Sequence, residues 1–257
     1  FFTLPMPTHK INNNVNRLNY FVETTPGDIW VDAIDSVVHI SGNDHKVEGF
    51  DVEGEIHFIV PDQDSSVWIG TEKGLYEIKD GKMKAPELTR FDVTAASASS
   101  KGIWFATYEG VLFRKTYDEL GFERFTLNNN PRINCIKVVE DRYVIVTTQR
   151  QGIFIFDYVQ NKLSRYSNEN TSVINNNLFR SITADSYGMV WIEGEENGIF
   201  MLNPKTQEIH HLTTTPDERY AHNLGSNFIF IEDKITFITN SKTNLLTLNI
   251  INFTSIC

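Results

Sequence analysis

Asp64-Ser-Ser-Val-Trp-Ile-Gly-Thr-Glu-Lys-Gly-Leu-Tyr-Glu-Ile78 is the stretch that decides the fold. A turn runs into a short apolar run centred on Trp68, Gly74 closes a second turn, and another apolar run follows. The same order recurs in Ser100-Lys-Gly-Ile-Trp-Phe-Ala-Thr-Tyr-Glu-Gly-Val-Leu-Phe113 and in Asp185-Ser-Tyr-Gly-Met-Val-Trp-Ile-Glu-Gly-Glu-Glu-Asn-Gly-Ile-Phe200. Self-similarity at a fixed period outranks local motifs, because it sets the architecture in which any site must sit.

The period follows from the Trp slot. Trp30, Trp68, Trp104 and Trp191 fill it in four units, and Ile145 and Phe237 fill it in two more. Successive spacings are 38, 36, 41, 46 and 46 residues. About 40 residues accommodate four strands of about 5–6 residues with their turns, which is one blade of a propeller. A helical repeat would place apolar residues at i, i+3, i+4 and i+7. Here they come as β-branched or aromatic runs such as Val144-Ile-Val146, Ile153-Phe-Ile-Phe156 and Phe228-Ile-Phe-Ile231.

The expectation is an all-β propeller of four-stranded antiparallel blades, with six units at about 17–50, 55–91, 93–127, 132–167, 178–213 and 226–257. Residues 1–16 read as an outer strand (Phe1-Phe-Thr-Leu4) and a linker. With Phe253-Thr-Ser-Ile256 as the last outer strand, that first strand is a spare, which points to a piece of a seven-bladed or double-propeller array.

Within a unit, strand a (Ile133 to Val139, Phe179 to Ala184) lies nearest the axis, and strand b carries the Trp. Gly74, Gly110, Gly152 or Gly198 closes the b–c turn, where a tight hairpin often demands positive φ. Strand d holds an aromatic residue or Leu among polar ones: Thr89-Arg-Phe91, Arg124-Phe-Thr126, Ser164-Arg-Tyr166 and His210-His-Leu212. Each Trp is expected to fill the space between neighbouring blades.

The pattern resembles the two-component regulator propeller repeat, approximately Asp-x-x-Gly-x-x-Trp-Ile-Gly-Thr-x-x-Gly-Leu-x-x-Tyr. Asp62 to Ile78 matches it most closely, through Trp68-Ile-Gly-Thr71 and Gly74-Leu-Tyr76. Asp185 to Phe200 matches well, with Glu193 in place of Gly. Trp104-Phe-Ala-Thr107 is a fair match and the unit around Trp30 a looser one. The resemblance runs from about Arg17 to the end.

What the resemblance implies is sensing. Such repeats typify the extracytoplasmic, periplasmic sensor region of Bacteroidetes hybrid two-component systems and related one-component regulators. There two propellers are commonly followed by a β-sandwich, a membrane span and signalling domains, and the usual signal is an oligosaccharide. The implied partners are an oligosaccharide ligand, the neighbouring propeller, the β-sandwich and the signalling domains, with a homodimer also allowed. No apolar run here reaches the roughly 20 residues that span a bilayer, so no membrane insertion is expected of this segment.

Charge narrows the partners. The chain has 23 Lys and Arg, 33 Asp and Glu, and a net charge of −10. No basic stripe is present, which argues against nucleic acid and against anionic membrane surfaces. Cys135 and Cys257 make neither a disulfide framework nor a Cys-x-x-Cys pair, and Cys135 reads as a buried small hydrophobe on an inner strand.

Catalytic signals are sparse. Gly-x-Ser-x-Gly, His-Glu-x-x-His and phosphate-cradling loops are all missing from the sequence. His210 and His211 alternate across a strand and point to opposite faces, so no metal or cofactor is expected. The acids Asp62/Asp64, Glu193/Glu195/Glu196 and Asp217/Glu218 read as solvated turns. No turnover is expected; the alternative is a propeller lyase or hydrolase acting on glycans.

The candidate ligand-binding residues lie on polar connections between strand d and the next strand a. Asn13, Asn14, Asn129, Asn130, Asn176, Asn177, His222 and Asn223 each precede an inner strand, with Tyr108 nearby. Asn donates and accepts, which suits hydroxyls, and a Tyr ring can stack on a sugar face. Asn is also a good turn former that tolerates left-handed backbone.

Overall fold

The computed structural model describes residues 20–33, 36–63, 66–194 and 198–212, and the backbone of three further strands. Phe1–Leu4, Asn13, Asn14, His222, Asn223 and Phe253–Ile256 lie outside the described residues. Among the described residues the elements are all strands. The first sheet is β1 (Phe21–Thr25), β2 (Asp28–Asp32), β3 (Ser36–Ile40) and β4 (Val47–Asp51); the second is β5 (Ile56–Pro61), β6 (Val67–Thr71), β7 (Gly74–Lys79) and β8 (Lys82–Met83). The third is β9 (Val93–Ser99), β10 (Gly102–Thr107), β11 (Val111–Thr116) and β12 (Glu123–Thr126); the fourth is β13 (Ile133–Val139), β14 (Tyr143–Thr148), β15 (Ile153–Asp157) and β16 (Lys162–Tyr166). The fifth is β17 (Phe179–Ala184), β18 (Val190–Gly194), β19 (Gly198–Leu202) and β20 (Ile209–Leu212). β21 (Leu224–Ile231), β22 (Lys234–Thr239) and β23 (Leu245–Asn249) form a sixth, three-stranded sheet.

Each sheet is an antiparallel meander in sequence order, and the first strands of successive sheets adjoin. That is the blade arrangement of a β-propeller. The Trp slot falls on the second strand throughout, including Ile145 on β14 and Phe237 on β22.

Strand b is apolar on both faces because each face meets a different sheet. Val67 and Ile69 pack toward the first sheet, whereas Trp68 packs toward the third with Ile103 and Phe105. Trp104 packs toward the fourth sheet with Ile136, Val144 and Phe154, and Ile145 packs toward the fifth with Val190 and Ile192. In the first four sheets the slot therefore faces the next blade, and Trp68 and Trp104 are each 1% exposed and Trp191 0%. Two of the indoles also satisfy their N–H: Trp68 Nε1 donates to Asp62 Oδ2 and Trp191 Nε1 to Asp185 Oδ2, both at 2.9 Å. The Asp six residues before the Trp thus shapes the turn and caps the buried ring.

The turn glycines are where the expectation put them. Gly74, Gly110, Gly152 and Gly198 have φ of +128°, +78°, +91° and +75°. At Gly152 a Cβ would also stand 2.0 Å from the Tyr166 carbonyl oxygen, because the b–c turn presses on strand d of its own blade.

One outer strand differs from expectation. Strand d of the second sheet is Lys82–Met83, not Thr89-Arg-Phe91. Asp80 and Gly81 have φ of +51° and +67°, so an Asp-Gly hairpin turns the chain back at once, pairing Ile78 with Met83. Pro86 has no N–H to extend the ladder, which resumes only at an isolated Leu75–Glu87 bridge. Phe91 still reaches the core, its ring 5.0 Å from Phe113.

A cross-strand pair near the axis explains another departure. Opposite one another on strands a and b stand Phe58 and Gly70, Ala95 and Ala106, Cys135 and Thr147, and Ser181 and Glu193. Phe58–Gly70 and Ser181–Glu193 set large against small, Cys135–Thr147 brings together two residues of intermediate size, and Ala95–Ala106 two small ones. A Cβ on Gly70 would lie 2.0 Å from Phe58 Cε1, so Gly is required there. Where strand a offers only Ser181, strand b carries Glu193, whose Oε2 accepts the Ser181 hydroxyl at 2.8 Å. Glu193 is thus a strand residue, 4% exposed, and the solvated-turn reading of it is corrected.

Candidate functional site

The d–a connections and the b–c turns meet on one face through a bond repeated in four sheets. Asp32 N donates to the Tyr20 carbonyl at 3.0 Å, Glu72 N to Glu55 at 3.2 Å, Tyr108 N to Asp92 at 2.9 Å and Gln149 N to Arg132 at 3.0 Å. Each bond fastens the residue that ends strand b, or the one just after it, to the residue just before strand a. The result is a polar rim over these four sheets.

Inside the rim, four inner strands each carry a bulge one residue in from the end. The ladder skips His57, Thr94, Asn134 and Arg180 in β5, β9, β13 and β17. A bulge leaves one residue unpaired and re-aims its side chain. These side chains reach the next blade: Thr94 Oγ1 donates to the Ile133 carbonyl at 3.0 Å and Asn134 Nδ2 to the Phe179 carbonyl at 3.1 Å. His57 Nε2 lies 2.8 Å from Asp92 Oδ1. Arg180 is exposed at the fifth sheet.

The predicted site residues divide. Asn129 and Asn130 stand exposed on the rim with φ of +66° and +44°, so they serve as turn formers and leave their amides toward solvent. Tyr108 is on the rim too, with the Arg132 guanidinium 4.9 Å from its ring centroid. Asn176 and Asn177 fold their own connection: Asn176 Oδ1 accepts Leu178 N at 2.9 Å, and Asn177 makes two 2.8 Å bonds with Asn168.

The sequence reading missed the bulge residues, Asp92 and Arg132. Its available signal was a dyad of one buried apolar residue and one polar residue opening strand a: Ile56-His57, Val93-Thr94, Ile133-Asn134 and Phe179-Arg180.

Charge is uneven around the face. Burial holds the Asp92 carboxyl above its ordinary range; His57 opposes that shift, and the nearby acids Glu109 and Glu72 add to it. Burial raises the Tyr20 phenol as well, reinforced by the carboxylates of Asp32 and Glu55. Burial pushes the Cys135 thiol up to about 11, so it stays protonated at neutral pH, its Sγ donating to the Arg180 carbonyl at 3.2 Å. Glu193 is raised by burial against the opposing pull of Ser181 and Arg180.

Chemically, the rim offers amides, hydroxyls, guanidinium groups and one aromatic face. Among the described residues, no group of three or more His, Cys, Asp or Glu is placed to hold a metal ion.

The architecture and this rim define a β-propeller with a polar mouth. No protein-family model matches the sequence, and no curated protein does. Solved structures match by fold. The extracellular domain of the putative one-component system BT4673 from B. thetaiotaomicron superposes with a TM-score of 0.68 at 12% identity, over 91% of this chain and 37% of that one. That of the putative hybrid two-component system BT3049 from the same organism gives 0.69 at 16% identity, over 91% and 34%. Virginiamycin B lyase from Staphylococcus aureus gives 0.64 at 16% identity, over 90% and 83%. The chain therefore spans little more than a third of either regulator ectodomain.

Proposed function

We propose that this chain is a ligand-binding propeller of an extracytoplasmic sensor region, and that it receives an oligosaccharide or another polar small molecule at the rim. The observation that carries the reading is the repeated bond between b–c turn and d–a connection. It gathers Tyr108, Asn129, Asn130, Arg132 and the bulge side chains around one mouth. Several convergent donors beside an aromatic face suit a hydroxylated ligand. The likeness to two regulator ectodomains supports a sensing context and a periplasmic location. No helix among the described residues is long and apolar enough to cross a membrane.

Calorimetric titration with a panel of oligosaccharides, on this chain and on the intact ectodomain, tests the reading. Binding is expected, with Tyr108→Ala and Asn129→Gly weakening it about tenfold or more. Tyr187→Ala, on an a–b turn of the opposite face, is expected to leave it unchanged. Binding that ignores the rim variants, or none by either protein, contradicts the reading.

A second reading, a propeller enzyme, rests on the His57–Asp92 contact at the same mouth and on the likeness to a lyase. A His beside a carboxylate is the arrangement a general base requires. Release of reducing ends or unsaturated sugars, lost in Asp92→Asn, would favour it over sensing.

A further inference from the structure

The mouth is not uniform in charge. On the side of the second and third sheets the rim and its neighbours carry Glu55, Glu72, Asp92 and Glu109. On the fourth sheet the character reverses. Arg132 ends the connection into β13, and its carbonyl accepts the Gln149 amide at 3.0 Å, with Arg150 the next residue along the b–c turn. Both guanidinium groups are exposed, and among the described residues neither has a carboxylate within ion-pair distance. By contrast, Arg114, Arg142 and Arg165 each hold an acid, Glu123, Asp157 and Glu169.

The surroundings of this pair are rich in donors. Gln151 Nε2 donates to the Asn129 carbonyl at 3.4 Å, which brings the b–c turn against the Asn129–Asn130 turn. Across the blade seam, where Asn134 bonds Phe179, Arg180 acts on Glu193 of its own blade, so the reversal belongs to the fourth sheet. In a chain of net charge −10, this quadrant is a local reversal of sign. Guanidinium forks match carboxylate and sulfate oxygens, and the acids on the neighbouring second and third sheets would repel a second negative group.

We infer that the mouth takes a hydroxylated ligand bearing one oxyanion, a carboxylate or a sulfate. The anion sits on Arg132 and Arg150, and the neutral body extends toward Asn134 and Thr94. This rests on the ligand-binding reading above and specifies its chemistry.

The test follows arginine side-chain Nε–Hε signals of ¹⁵N-labelled protein during titration with sodium galacturonate, sodium sulfate or galactose. Sodium chloride holds ionic strength constant. Two arginine signals, assigned through Arg132→Gln and Arg150→Gln, are expected to shift saturably with galacturonate and sulfate but not with galactose. The double variant Arg132→Gln/Arg150→Gln should weaken that response by about tenfold or more, whereas Arg124→Gln, on outer strand β12, should preserve it. Linear, unsaturable shifts shared by every arginine would reduce the effect to ionic screening and overturn the inference. So would equal responses to galacturonate and galactose, although that result would leave the ligand-binding reading intact. A mouth that binds neutral oligosaccharides in calorimetry but neither anion would likewise sink the oxyanion alone.

Discussion

The second and fifth sheets carry the two clearest Trp signatures, yet they diverge two residues past the Trp. The second has Gly70 beneath the Phe58 ring, and the fifth has Glu193 bonded to Ser181. The two sheets agree where the side chain faces the next blade and differ where it faces its own inner strand. What the repeat preserves at this place is filled space, since interiors tolerate neither a void nor an overlap. The residue on strand b can change when its partner on strand a changes with it.

The largest expected effect lies where the two sheets agree. Trp68→Ala and Trp191→Ala should each destabilise the protein by about 3–5 kcal/mol in denaturant unfolding, because both rings are fully buried. A marked inequality between them would show that the two slots are not equivalent.

A smaller loss is expected from the carboxylate that serves each ring. Asp62→Ala removes the acceptor of the Trp68 N–H and should cost about 1–3 kcal/mol, with Asp185→Ala alike. Trp30 sharpens this point: its Nε1 has no hydrogen-bond partner among the described residues, and its ring stacks on His39 at 4.1 Å instead. A cost near zero for Asp62→Ala would mean that the aspartate shapes only the turn.

The smallest effect is a pH dependence carried by Glu193, which stands where the second sheet has Gly70. Burial raises the Glu193 carboxyl in the folded chain, so the folded state holds its proton more tightly than the unfolded state. Stability should therefore fall as pH rises from the ordinary carboxylate range through that raised value. Glu193→Gln should flatten this fall and be more stable than the parent above the window. Thermal unfolding across pH measures it; an identical slope in both proteins would contradict the assignment.

The architecture was legible because its signals are periodic. The Trp slot, the turn glycines and the two-sided apolar strands repeat every blade, so each unit supports the reading of the others. Phe91 was misassigned because an Asp-Gly turn at Asp80-Gly81 and Pro86 set the strand boundary locally, against the average spacing. Glu193 was read as a solvated turn because a single strand does not reveal its cross-strand partner. The site was less legible for a related reason. A bulge is a property of two paired strands, and the direction it gives Asn134 or His57 is not written in either one. Tyr108 and Asn129 were proposed from their place in the repeat, whereas Arg132 became conspicuous only beside Gln149 and Tyr108.

The claim that strands a and b jointly fill a fixed space is tested most directly by a double-mutant cycle on Phe58 and Gly70, read by denaturant unfolding. Gly70→Ala places a Cβ into the Phe58 ring and should cost about 1–3 kcal/mol in the parent. In the Phe58→Ala background the same methyl group enters vacated space. Its cost should then shrink toward zero, a coupling of about 1 kcal/mol or more. Equal costs for Gly70→Ala in both backgrounds would show that the two positions are independent, and the account of the pair would fail.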